Sequence, residues 1–179
     1  MKDPLFEEME KDLAAYGYLS AWFEARQEAP YSHLLVRIPA DDKNRERSLI
    51  LKLEQKILSL PFELKNETPN SESFVQIISA FPFPIPSEVY WNVFRILNFF
   101  NLSLSTPCLL LDEANHKVII RYSFLHAGSK IAAPTLVSLL GMTLLFLDVF
   151  SDPIEEVAHG KSIEETIAGQ IESLFKNAA

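Results

Sequence analysis

The sequence holds a single cysteine, Cys108, so no disulfide can form within the chain. A reducing compartment, the cytoplasm, is the expectation, and the start Met1-Lys2-Asp3-Pro4 carries no apolar signal-peptide core. Positive charge is scarce as well: 16 Lys and Arg stand against 24 Asp and Glu, a formal net charge of -8. Nucleic acid is therefore a poor partner class, because phosphate binding needs a basic stripe. The Lys43, Arg45, Arg47 cluster has Asp41, Asp42 and Glu46 beside it and reads as a solvated turn. Glycine is sparse too. Gly17, Gly128, Gly141, Gly160 and Gly169 are scattered, and none precedes a lysine and hydroxyl at the spacing of a phosphate loop.

Catalytic and metal signatures are equally thin. His33, His116, His126 and His159 fall on four different expected elements or loops, whereas a metal wants ligands one helical turn apart or flanking a hairpin. Asp112, Glu113 and His116 share one turn, where such residues serve solvation and backbone hydrogen bonding. Cys108 opens an apolar strand with no oxyanion loop near it and reads as an inert thiol. Asp148, at the end of the most apolar helix, is the carboxylate that burial would perturb; its plainer reading is a solvent-facing helix end. No catalytic, cofactor or metal residue is expected, and the chain is not expected to be an enzyme.

What is present is apolar surface in organised form. Hydrophobic residues make up 48% of the 179 and charged residues 22%, the composition of one folded domain over residues 1–179. Pro4 to Arg26 is helix-favouring; Gly17 offers a break, so one helix and two shorter ones both fit. Leu34, Val36 and Ile38 alternate with His33, Leu35 and Arg37 as a strand, and Pro39 to Arg47 is a turn. Leu49, Leu51 and Leu53 continue as a second strand, with a helix over Leu49 to Leu60 as the alternative. After a polar loop between Pro61 and Ser73, Phe74 to Ala80 is a third strand. Phe81-Pro82-Phe83-Pro84-Ile85-Pro86 holds the chain extended before a helix over Glu88 to Leu102, capped at Ser87.

Cys108 to Leu111 and Val118 to Phe124 form a hairpin across Asp112 to His116. Its second strand puts Val118, Ile120, Tyr122 and Phe124 on one face and Ile119, Arg121 and Ser123 on the other. The uncharged run from Ile131 to Leu147 approaches the length of a membrane span. Pro134, Thr135, Ser138, Gly141 and Thr143 inside it, and Asp148 at its end, favour instead a helix buried on both sides that ends near Phe150. Asp152-Pro153 begins a separate short turn of helix, His159-Gly160 ends it, and a last helix capped by Ser162 runs to Phe175, making residues 151–179 a C-terminal helical extension.

The fold class that follows is α+β: an antiparallel sheet of about five strands packed against helices, in the order α-β-β-β-α-β-β-α-α. Three stretches, Phe74-Val75-Gln76-Ile77-Ile78, Arg95-Ile96-Leu97-Asn98-Phe99-Phe100-Asn101, and Cys108 to Asp112 with Val118 to Tyr122, resemble the YbjN family and the related type III secretion chaperones. The resemblance implies a dimeric, acidic, cytoplasmic protein that holds a partner polypeptide against sheet and helix surfaces. The chain departs from the pattern in its length, its connections at Pro39 to Arg47 and Pro61 to Ser73, and its last helix.

Two helices carry more apolar circumference than one small sheet can cover. The expected function is therefore non-catalytic protein binding by a homodimer, with Tyr90, Trp91, Phe94, Leu97, Leu140 and Leu144 as the protein-binding and dimer surface. The alternative is a small-molecule sensor or carrier with a pocket lined by Phe94, Phe99, Tyr122 and Phe124, in which Arg121 orients an anionic group.

Overall fold

The computed structural model describes residues 4–27, 31–55, 72–127 and 131–177. Helix α1 spans Pro4–Ala15 and buries Leu5, Phe6, Met9 and Leu13, one side of three turns. It ends where Gly17 takes φ +83, which lets the Gly17 and Tyr18 amides bond back to the Ala14 and Leu13 carbonyls. The chain then turns into strand β1, Leu19–Phe23, and not into the second short helix that its composition favours. Ser20 and Trp22 face inward while Leu19, Ala21 and Phe23 face out, so both faces carry apolar residues and the alternation is masked in the sequence.

Strands β2 (His33–Ile38), β3 (Arg47–Gln55), β4 (Glu72–Ala80), β5 (Cys108–Asp112) and β6 (Lys117–Ala127) complete a six-stranded sheet in the order β1-β2-β3-β4-β6-β5. Every pairing is antiparallel. The architecture is the α+β class expected, with one strand more than anticipated. The helical alternative for Leu49 to Leu60 is overturned as far as Gln55, because β3 pairs on both sides along its apolar alternation. The remainder of that stretch, the loop between Pro61 and Ser71, and Gly128 lie outside the described residues.

Leu34, Val36, Leu49, Leu51, Val75, Ile77, Leu109, Val118 and Ile120 form the buried face of the sheet. Phe81, Phe83 and Ile85 extend this core, and their alternation with proline has a backbone logic. The Phe81 and Ile85 amides donate to the Val118 and His116 carbonyls, while the intervening prolines have no donor to leave unpaired. A 3-10 turn, Ser87–Val89, leads into α2, Tyr90–Ser103. Ser87 does not cap it: its hydroxyl contacts Glu88 at 3.5 Å, and no side chain caps either helix start.

The third helix, α3, runs unbroken over Ala133–Ala158, with Pro134 in its first turn and Pro153 in its interior. The expected end near Phe150 is thus corrected. Pro153, Ile154 and Val157 are buried, so core packing compensates for the hydrogen bond that proline forfeits. Gly160, at φ +93, terminates the helix, and α4 follows over Ile163–Asn177 with Ser162 Oγ accepting from the Glu165 amide at 3.2 Å. The boundary at 151 consequently falls inside α3, and only α4 extends the domain.

Helices α1, α2 and α3 all lie on the buried face. The opposite face has no helix from the described residues across it. One transverse row of that face runs Ala21, Leu35, Ile50, Ile78, Arg121 and Cys108 through successive strand pairings.

Candidate protein-binding surfaces

The six residues expected to form a docking surface divide by helical phase. On α2 the inner arc is Val93, Ile96, Leu97 and Phe100, so Leu97 belongs to the core. Leu140 is fully enclosed beneath α3 and Leu144 is half-buried against the core. The assignment of Leu97 and Leu140 to an exposed surface is therefore corrected. Tyr90 is half-buried and engaged, its hydroxyl donating to the Glu113 carbonyl at 3.0 Å and lying 2.6 Å from His116 Nδ1. Burial, and then the Glu113 and Asp112 carboxylates, push the Tyr90 phenol above its ordinary range.

Trp91 and Phe94 do face outward, 69% and 52% exposed, with their rings stacked at 5.9 Å. The structure adds Phe99 and Leu102 on α2, and Met142, Leu145 and Val149 on α3. The latter three follow one another at helical spacing along a solvent-facing stripe that also carries Thr135 and Ser138 and has no charge before Asp148. The double burial expected of this helix is overturned, since only 22% of its most apolar stretch is buried. By length and composition α3 could cross a membrane. Its uncharged run from Ala133 to Leu147, however, rises only about 22 Å at 1.5 Å per residue, against a hydrocarbon core of about 30 Å.

The C-terminal half of α3 is fixed by ion pairs to the β2–β3 turn. Asp41 organises that turn, its Oδ1 accepting from the Lys43 and Arg45 amides at 3.0 and 2.8 Å, with Asn44 at φ +58. Arg45 Nε donates to Asp41 Oδ2 at 2.6 Å, and its Nη1 and Nη2 donate to the two oxygens of Glu155 at 2.7 and 3.1 Å. Lys43 bridges Asp152 and Glu155 at 2.9 and 2.8 Å. Arg47 is buried, donating to the Pro39 and Ala40 carbonyls and to Asp148. The basic cluster expected to be a solvated turn is thus a clamp.

Burial pushes the Asp41 and Glu155 carboxyls up, but hydrogen bonds outweigh it and leave both below their ordinary range. For Asp41 these come from Arg45, and for Glu155 from Arg45 and then Lys43. The Lys43 ammonium is raised, chiefly by its bond to Glu155 and then by that to Asp152.

The other sequence candidates do not converge. Asp112 accepts from the Asn115 amide and side chain while His116 faces Tyr90, so the turn's polar groups are engaged separately. Among the described residues no group of three or more His, Cys, Asp or Glu could hold a metal. Asp148 is spent on Arg47. The sensor pocket does not assemble as expected either: Tyr122 and Phe124 pack against the core, Arg121 lies on the opposite face of β6, and Phe94 points to solvent.

Asn101 was missed in sequence. Its amide accepts from the Leu109 N–H and donates to the Leu109 carbonyl, both at 2.9 Å, standing in for a neighbouring strand on the outer edge of β5. Compared with known proteins, the chain matches no protein-family model and no curated protein at a significant level.

Proposed function

We propose that the chain is a non-catalytic polypeptide-binding module, chaperone-like or adaptor in kind, that acts as a homodimer in a reducing compartment such as the cytoplasm. The observation that carries the reading is the uncovered apolar surface along α2 and α3. Trp91, Phe94, Phe99, Leu102, Met142, Leu145 and Val149 all stand out from the two helices. At about 150–250 Å² for a fully exposed large side chain they offer on the order of 700 Å², close to the roughly 800 Å² per partner of a standard interface.

The helical surface suits the second copy, since α2 and α3 pack together and both carry outward apolar residues. The sheet surface suits the partner: Leu35, Ile50 and Ile78 line up across three strands as an apolar track that an extended segment can follow. The order of elements from Phe74 onward is also that of the YbjN and type III secretion chaperone resemblance.

Multi-angle light scattering of the purified chain tests the reading. A mass of twice 20.3 kDa at micromolar concentration is expected, and a strictly monomeric mass overturns the dimer.

A further inference from the structure

On the sheet face opposite the helices, where the connection from α2 to β5 rises beside the strands, lies a hollow of about 510 Å³. Its floor carries Arg121 of β6, with Gln76 of β4 and Ser123 of β6 beside it, Thr106 on the rim, and Phe74 and Leu104 as apolar walls. Asn101 borders it too, but that amide is committed to Leu109. The volume falls within the range of small-molecule sites.

Arg121 is what makes the hollow more than a surface depression. Arg37, Arg45, Arg47 and Arg95 each pair with a carboxylate. Arg121 is half-buried and, among the described residues, no carboxylate pairs with it, in a chain with an excess of carboxylates. Across the strands it has Ile78 on one side and Cys108 on the other, so its guanidinium is flanked by groups that cannot neutralise it. A half-buried guanidinium without an anion has its planar donors free to match a carboxylate in bidentate fashion.

We infer that this hollow binds a small carboxylic acid with an apolar body, in which Arg121 takes the carboxylate and Phe74 and Leu104 take the hydrocarbon or ring. Gln76, Ser123 and Thr106 supply further donors for the carboxylate oxygens. Among the described residues no second cation lines the hollow, which favours a monoanion over a phosphate dianion.

Calorimetric titration of the full chain with benzoate, benzamide and inorganic phosphate is the test. Benzoate is expected to bind saturably at one site per chain, with benzamide and phosphate each about tenfold weaker or worse, because a bond to a charged group is lost or the charge is mismatched. Arg121→Gln is expected to weaken benzoate by at least about tenfold and leave benzamide unchanged. No saturable benzoate site, equal affinity for benzamide, tighter phosphate binding, or an unaffected Arg121→Gln variant would each overturn the proposal.

A second measurement does not depend on reaching saturation. Cys108 is the only thiol in the sequence and lines the hollow, so its alkylation reports on that place alone. The rate with iodoacetate, divided by that with iodoacetamide, cancels changes in thiol reactivity and isolates attraction for a carboxylate. That ratio is expected to drop several-fold in Arg121→Gln, and excess benzoate is expected to slow both reagents in the native chain. An unchanged ratio, or alkylation that benzoate leaves unaltered, counts against the site.

Discussion

Arg47 on β3 and Asp148 on α3 meet at 2.5 Å although their side chains are 4% and 59% exposed. The asymmetry predicts unequal consequences of breaking the pair. Asp148→Asn takes the countercharge from a buried guanidinium but keeps a side-chain oxygen to accept from it, and is expected to cost about 1–2 kcal/mol. Arg47→Ala strips the Pro39 and Ala40 carbonyls of their donor and removes a buried stem, for about 2–4 kcal/mol. Urea unfolding of the two variants measures the difference, and equal losses would show that the ion pair, not the backbone contacts, dominates.

Acid sensitivity follows from the clamp between the β2–β3 turn and α3. Asp41 and Glu155 are held below their ordinary values of 3.8 and 4.5, so the stability they contribute is fully present above those values. It is lost as pH falls through the lower folded values. Lys43 is shifted the other way: its contribution is present below 10.5 and fades only as pH rises beyond it. The urea midpoint is expected to fall between about pH 5 and pH 3, and the Asp41→Asn, Glu155→Gln double variant to show a shallower fall. A parallel pH profile for the double variant would place the acid-labile groups elsewhere.

Asn101 joins the end of α2 to the outer edge of β5 through two hydrogen bonds. Asn101→Asp keeps the acceptor for the Leu109 amide but sets a carboxylate against the Leu109 carbonyl, and a loss of about 2 kcal/mol is expected at neutral pH. Protonation restores a donor, so the deficit relative to the native chain should shrink in acid. Thermal denaturation at two pH values reads this out, and a constant deficit would contradict it.

Core and surface positions on the same helices are separable. Leu97→Ala and Leu140→Ala are expected to cost about 2–5 kcal/mol of stability each by leaving cavities. Trp91→Glu with Leu145→Glu is expected to leave the thermal midpoint of the isolated chain nearly unchanged while shifting the sedimenting species toward monomer. Loss of folding in the surface double variant, with self-association retained by whatever stays folded, would reverse the assignment.

Much of the fold was legible because strand periodicity survives wherever one face is buried. Leu34, Val36 and Ile38 in β2 and Val118 and Ile120 in β6 alternate cleanly with partly exposed neighbours. The last-helix cap at Ser162 and the stop at Gly160 were equally local. Strand β1 was hidden because Leu19, Trp22 and Phe23 are apolar on both faces, and its strand state comes from pairing with β2. On the surface, Trp91 and Phe94 were recoverable, but Leu145 was displaced by its neighbour Leu144. An almost wholly apolar helix gives no polar stripe from which to read its rotation.

The sequence by itself determined the alternation of the central strands, the punctuation at Gly17 and Gly160, and the excess of apolar helix over sheet, since each depends on residues a few positions apart. Only the tertiary structure decided which side of α3 is covered and that Asp148, Asp152 and Glu155 reach back to Arg47, Lys43 and Arg45 across more than a hundred residues. It likewise decided that, among the described residues, no carboxylate pairs with Arg121 on the sheet face opposite the helices. Helix rotation and charge pairing are set by packing between distant segments, where burial outweighs local preference.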